Sequence, residues 1–300
     1  MDQTFDLPEA SLLEFERTIL RAIERRSVDQ LHVLGFGEVG VAVAWPHEQP
    51  RLVVKRLLSF ADPADAASAL ERVRTYASRI APHVQVAPTE LRTIVNDEGR
   101  TVSYLIQNLY PAEQLMDTVL AAETPTRDHP AVVAVRDAAV SASGDGRQAI
   151  DSQFSNFAWD GSTLTTFDIG TPFLFREDGT PEGDHGAMVQ VLPAALRPIA
   201  MRQVNRITAE LGGRRGNLEH AAMSLVRMGH EQWLDPAIHT FNQVLDDPLR
   251  ADSVRTRATT LHGRMRLLKQ MMRLQRAWAT KVRRTPYDFF ITDSYTGEIR

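Results

Sequence analysis

The sequence predicts an α+β chain of two lobes, with an antiparallel sheet first and a mostly helical remainder after it. Three observations predict this. Short runs rich in β-branched residues, broken by glycine and proline, crowd between Asp29 and Leu109. Beyond Leu109, apolar residues recur mostly at helical spacing. One interruption stands out: Phe154 to Trp159 and Thr163 to Phe167 flank Asp160-Gly161, and Asp-Gly between β-rich runs is a strong hairpin signal. The expected organisation is an N-terminal helix packing on the body over residues 1–28, a sheet lobe over 29–110 and a helical lobe over 111–300.

The elements follow in order. From Pro8 to Arg26, Leu12, Leu13, Phe15, Ile19, Leu20 and Ile23 recur among charges and predict an amphipathic helix. Leu31 to Leu34, Val39 to Trp45 and Leu52 to Leu58 read as three strands of a meander, separated by glycines and then by Pro46 to Pro50. Asp62-Pro63 is an N-cap with proline at the first helical position, and the alanine-rich run to Ile80 continues it as helix. Val84 to Val95 and Thr101 to Leu109 are two further strands joined by an Asp97-Glu98-Gly99 turn.

Composition narrows the function classes. The 300 residues are 43% apolar, enough for a core that needs no staples, and contain no cysteine, which removes disulfides, thiol nucleophiles and thiolate metal sites. The first 26 residues lack an apolar core segment and no apolar run spans a bilayer, so the expected setting is cytoplasmic, without membrane. The net charge of −4 implies no polyanionic partner for the whole chain. The charge is unevenly spread, because Arg255 to Arg284 holds ten Lys or Arg residues and no acid. The nine histidines form no H-x3-H or H-E-x-x-H, and no G-x-S-x-G occurs, which argues against a zinc enzyme and a serine hydrolase.

The stretch LGFGEVGVAVAW places Gly35, Gly37 and Gly40 in the spacing G-x-G-x-x-G. A dinucleotide fingerprint needs a helix to start within its last glycines. Here Val41-Ala42-Val43-Ala44-Trp45 alternates and Pro46 closes it, so the loop joins two antiparallel strands. Glycines in such a hairpin let backbone N–H groups approach phosphates, although an ordinary Gly-rich hairpin has the same spacing. Lys55, in Val53-Val54-Lys55 on the following strand, is a candidate phosphate ligand beneath the loop. Glu71 on the next helix could pair with it, and Asp65 also qualifies by position. Further on, Asp151 and Asn156 lie five positions apart just before the hairpin, and Asp168 lies just after it. The hairpin folds Asn156 and Asp168 back together as two oxygen ligands suited to Mg²⁺, and Asp151 would face an acceptor hydroxyl.

Taken in order, GFGEVG, VVK, DSQFSN and Phe167-Asp168-Ile169-Gly170 resemble the protein-kinase-like superfamily, and its aminoglycoside and choline phosphotransferase branch more than protein kinases proper. The resemblance implies a two-lobed protein-kinase-like fold and transfer of the γ-phosphoryl group of ATP, with Mg²⁺ as cofactor, to the hydroxyl of a small molecule. It assigns Gly35, Gly37, Gly40, Lys55 and Glu71 to the nucleotide, Asn156 and Asp168 to the metal, and Asp151 to catalysis. Tyr104 to Pro111 resembles the segment joining the lobes, so backbone groups of Gln107, Asn108 and Leu109 are expected to meet adenine. Two departures weaken catalysis relative to binding. The superfamily's histidine two residues before the aspartate is Ala149 here, and Ser152 and Gln153 replace the usual cation after it. The alternative is a nucleotide-binding pseudokinase that acts as a scaffold. The apolar stripe of the basic segment fits a core helix, and its arginines are either solvated or a receptor for an anionic acceptor. Its single aromatic residue, Trp278, argues against nucleic acid. The aromatic run Tyr287 to Ile291 is expected to dock on the body or on a partner.

Overall fold

The structure, a computed structural model, describes residues 4–36, 40–182 and 197–283. The chain opens with α1 (Glu9–Arg25), which turns Leu12, Phe15, Ile19 and Ile23 inward from one face. Four of the next five strands build an antiparallel sheet with the strand that follows them. They are β1 (Val33–Phe36), β2 (Val41–Trp45), β3 (Leu52–Phe60), β5 (Thr89–Val95) and β6 (Thr101–Asn108), in the order β1-β2-β3-β6-β5. Helix α2 (Pro63–Ile80) follows β3, and its N-cap is the one expected: the Asp62 side chain accepts from the Ala64 N–H at 2.8 Å. The tight turn before β6 holds Gly99 at φ +73°, a conformation that costs glycine little.

The expected strand from Val84 to Val95 is two strands. Pro88 cannot donate to a ladder and separates them, so β4 (Gln85–Val86) leaves the main sheet. It pairs in parallel with β8 (Leu164–Thr166), which itself pairs with β7 (Phe157–Trp159) as the Asp160-Gly161 hairpin. Gly161 takes φ +96°, and Asp160 accepts from the N–H groups of Ser162 and Thr163, which closes the turn.

The second lobe is helical: α3 (Met116–Ala122), α4 (Pro130–Ala142), α5 (Arg197–Gly212), α6 (Arg214–Met228), α7 (Leu234–Asn242) and α8 (Ala251–Trp278). Its core gathers Phe154, Phe157, Leu218, Leu225, Trp233 and Phe241, and it runs up under the sheet through Leu105, Val73 and Tyr76. The result is a two-lobed α+β arrangement, an antiparallel sheet with its helices followed by a mostly helical lobe.

Strand alternation divides the sheet into two faces. Val54, Tyr104 and Ile106 join α1 in a second core, whereas Leu105 faces the helical lobe. Arg56 lies on the α1 face, only 2% exposed, and its guanidinium meets the carboxylate of Glu16 through two hydrogen bonds of 2.8 and 2.9 Å. Tyr104 O–H donates to the same carboxylate, and Asn96 Nδ2 reaches it at 3.4 Å. Burial pushes the Glu16 carboxyl up, but the hydrogen bonds from Arg56, Tyr104 and Asn96, with the Arg56 charge, outweigh it and hold the group below its usual value. Gly40 is required for a different reason: a Cβ there would lie 2.5 Å from the Arg56 carbonyl oxygen, whereas a Cβ on Gly35 would meet nothing within 4 Å.

Two outcomes follow for stability. Glu16→Ala removes the carboxylate that receives Arg56, Tyr104 and Asn96 and is expected to cost about 3–5 kcal/mol in urea unfolding. The native carboxyl is depressed, so the stabilisation is complete above the ordinary carboxylate pKa and is lost as pH falls through the lower native value. Acid titration of the melting temperature should therefore show a decline that Glu16→Gln removes. Gly40→Ala is expected to cost about 1–3 kcal/mol by overpacking, and Gly35→Ala less than about 0.5 kcal/mol. Equal melting temperatures for the two glycine variants would contradict this packing.

Candidate active site

The β3 strand that sends Arg56 toward α1 sends Lys55 into the cleft. Lys55 Nζ lies 2.6 Å from Asp168 Oδ1, with the two side chains 16% and 27% exposed. Asp168 follows β8 directly. Its Oδ1 also accepts from the Gly170 N–H at 3.2 Å, and Oδ2 takes no hydrogen bond among the described residues. Ile169 anchors this turn in the core. Gly170 fits beneath β3 because a Cβ there would stand 3.2 Å from Leu57 and 3.5 Å from Lys55 Nζ.

The β7–β8 hairpin brings its two ends together as its sequence predicts. Phe157 pairs with Thr166, and the Phe167 N–H donates to the Asn156 carbonyl at 3.2 Å. Asn156 is 7% exposed, and its amide nitrogen has no hydrogen-bond partner. The amide's oxygen and nitrogen are interchangeable in assignment, so the buried amide offers one open polar atom beside the Asp168 turn. An open amide and a carboxylate with one uncommitted oxygen fit a Mg²⁺ ion that takes few protein ligands and completes its shell with phosphate and water. Among the described residues no group of three or more His, Asp or Glu forms a protein-only metal cage.

Asp151 lies in the loop between α4 and the single 3-10 turn Phe154–Asn156. Its N–H donates to the Tyr76 hydroxyl at 3.3 Å, so a residue of α2 touches the loop directly. Gln153 Nε2 donates to both carboxylate oxygens at 3.1 and 3.2 Å, and His220 Nε2 is 3.4 Å from Oδ1. Burial pushes the Asp151 carboxyl up, and His220 and Gln153 more than offset it, leaving the group below its usual value and ionised at neutral pH. Burial pushes the Tyr76 phenol well above its usual value, as do the charges of Asp151 and Asp168. The buried phenol thus stays protonated against the Asp151 loop, and the charges of both carboxylates act on it in the same direction.

Several expectations are corrected. Glu71 does not meet Lys55: it lies on the solvent face of α2, 69% exposed, and pairs with Arg74 at 3.4 Å. Asp65 is exposed as well. The inner face of α2 carries Ala66, Leu70, Val73, Tyr76 and Ala77, so no carboxylate is available there and Lys55 turns to Asp168. In the linker, the Leu109 N–H donates to the Arg51 carbonyl at 2.9 Å. Gln107, two residues earlier and opposite Val53, directs its backbone the same way, and its side chain is committed to Thr89 and the Phe167 carbonyl. Of the three residues expected to meet a base, only Asn108 turns its backbone away from β3. Gly35 lies in β1 and Gly40 directly precedes β2; Gly37 and the aromatic run Tyr287 to Ile291 lie outside the described residues.

Three cations of the basic segment have partners among the described residues. Arg255 pairs with Glu231 at 2.7 Å, Arg257 with Glu210 at 2.8 Å and with buried Glu219, and Arg276 is buried and donates to the Ile23 carbonyl of α1. Sequence reasoning missed Tyr76, His220, Gln153 and Arg227. Tyr76 falls on the apolar stripe of α2 and reads as core. His220 belongs to a periodic polar set on α6 that is visible once burial is known.

Among curated proteins none matches the sequence. The PknI kinase domain of Mycobacterium tuberculosis is one of the solved structures similar to it, at 16% identity over 75% of this chain and 79% of that one, with a TM-score of 0.33. Residues 15–276 match the model of the DUF6206 family, described as a family of unknown function, and the chain belongs to that family.

Proposed function

We propose that the protein is an ATP-dependent phosphotransferase that moves the γ-phosphoryl group to a hydroxyl of a small molecule, in the manner of the aminoglycoside phosphotransferase branch. The observation that carries this reading is the Lys55–Asp168 ion pair, with the Asp151 carboxylate held separately by Gln153 and His220 in the loop that leads into the same hairpin. A lysine, a carboxylate with a free oxygen and a second, separately held carboxylate are what phosphoryl transfer asks of a protein, because the reaction needs positioning and charge neutralisation more than covalent help.

In this reading Asn156 and Asp168 would hold Mg²⁺, which would supply charge neutralisation at the phosphates. Lys55 orients the phosphate oxygens, and Gly35 adds no side chain where the backbone of β1 would approach them. Asp151, ionised and facing the acceptor, takes the proton of the hydroxyl as that oxygen forms its bond to the γ-phosphorus. The bond to the bridging oxygen breaks, and its electron pair leaves on ADP. Asn108 is the linker residue whose backbone can meet the base. A reducing cytoplasm that holds ATP is the setting this chemistry implies; among the described residues no helix is long and apolar enough to cross a membrane.

One observation favours the second reading, a pseudokinase that binds nucleotide without consuming it. Lys55 has no helix carboxylate to hold it apart from Asp168, so the two charges close on each other. Turnover separates the readings.

Mg-ATP at about 100 times its dissociation constant should add roughly 2.7 kcal/mol of apparent stability, read as a rise in melting temperature. Lys55→Ala and Asp168→Asn should abolish most of that rise. Asp151→Asn should keep it and lose ADP formation by a factor of at least about 100. An unchanged melting temperature in the wild type would remove the nucleotide reading, and binding without ADP formation would select the pseudokinase.

A further inference from the structure

Helix α6 lays a polar stripe along the loop that carries Asp151. Asn217, His220, Ser224 and Arg227 recur at intervals of three, four and three, which places them on one helix face. Each meets the loop in turn. Asn217 Nδ2 donates to the Ile150 carbonyl at 2.8 Å, and the main-chain carbonyl of Asn217 accepts from Ser152 Oγ at 2.7 Å. His220 Nε2 stands 3.4 Å from Asp151 Oδ1, Ser224 Oγ accepts from the Phe154 N–H at 3.0 Å, and Arg227 Nη1 donates to Gln153 Oε1 at 2.8 Å.

We propose that His220 is a positioning residue for Asp151, fixing the orientation of its carboxylate from α6 while Arg227 fixes Gln153 on the carboxylate's other side. The inference rests on the phosphotransferase reading for its effect on rate, but not for the pairing itself.

The surroundings argue that this is more than filling. His220 and Asp151 are each 12% exposed, and on α6 the histidine is followed by Ala221 and Ala222 with Leu225 one turn on, all fully buried. An apolar side chain would suit that environment better unless the imidazole has an acceptor, because a buried polar group left unpaired costs free energy. Asp151 supplies the acceptor. The carboxylate takes Gln153 Nε2 on both oxygens, the Gln153 N–H at 3.4 Å and His220 on Oδ1, so its rotation about the Cβ–Cγ bond is restrained from two elements. Gln153 is itself held by Arg227, which places a guanidinium one amide away from the carboxylate where a cation beside it is absent.

The other groups facing the pair are accounted for among the described residues. Tyr76 comes from α2 and accepts from the Asp151 N–H. Glu219, the neighbour of His220 on α6, is turned to Arg215 and Arg257 and leaves Asp151 to the histidine.

The test compares His220→Leu with His220→Gln, using Mg-ATP as the probe and water as the acceptor. His220→Leu should lower the kcat of ADP formation by roughly 10- to 100-fold while leaving KM for ATP within about twofold. Its acid limb of kcat should move to higher pH, since Asp151 loses a neighbour that lowers its proton affinity. His220→Gln keeps an N–H donor and should recover most of the rate. A purely structural histidine predicts the opposite pattern: kcat and KM fall together or not at all, the acid limb stays in place, and glutamine rescues no better than leucine. That pattern would overturn the proposal.

If the wild type neither binds nor consumes Mg-ATP, the phosphotransferase reading fails separately. Melting temperatures of Asp151→Asn, His220→Leu and the double variant then decide the pairing. A double variant less destabilised than the sum of the single changes supports it, and strict additivity overturns it.

Discussion

Alternation along a single strand sets the geometry of this protein. In β3, Arg56 goes outward to Glu16 of α1 and Lys55 goes inward to Asp168, so neighbouring cations are committed to opposite faces of one sheet. The register of β3 against β2 and β6 cannot slip by one residue without exchanging them. An exchange would bury a lysine under α1 and leave Glu16 without its guanidinium. The buried Glu16–Arg56 cluster therefore acts as a register lock for the lysine that serves the cleft.

The cleft itself is closed by contacts between elements far apart in sequence. Lys55 reaches Asp168 across 113 positions, and Tyr76 reaches the Asp151 loop across 75. The acid missing from the inner face of α2 changes how that helix communicates with the site. Its apolar stripe packs on the helical lobe, and Tyr76, within the stripe, makes the polar connection to the loop. A buried phenol needs a partner, and the Asp151 N–H supplies one; a buried backbone N–H needs an acceptor, and the phenol supplies that. Each satisfies the other beside a loop in which Ala149 stands two residues before the aspartate.

Much of this was legible from residues alone because the signals were local. Asp62-Pro63 announces a helix start, Asp160-Gly161 a hairpin, and the valines after Gly40 a strand in place of a helix, and each is a short-range preference that tertiary packing did not need to override. The placement of Asn156 and Asp168 at the two ends of one hairpin followed from that turn. What was not legible depended on which face of an element turns inward. Glu71 and Tyr76 share a helix, and only its rotation against the sheet decides that the tyrosine enters the site and the glutamate leaves it. Pro88 was visible as a strand breaker, but not that β4 would change sheets to pair with β8. The hydrogen-bonding direction of Leu109 is likewise set by Arg51, more than fifty residues away.

Helix α8 has the widest reach of any element. Near its start Arg255 and Arg257 grip acids of the helical lobe, and near its end Met272 and Arg276 are buried, the latter against the last turn of α1. A 28-residue helix is about 42 Å long, so one stiff rod spans from the floor of the molecule to the helix that covers the roof. The linker after β6 is consequently not the sole tether across the cleft. Any relative motion of the two halves must bend this helix, slide it or detach its far end from α1.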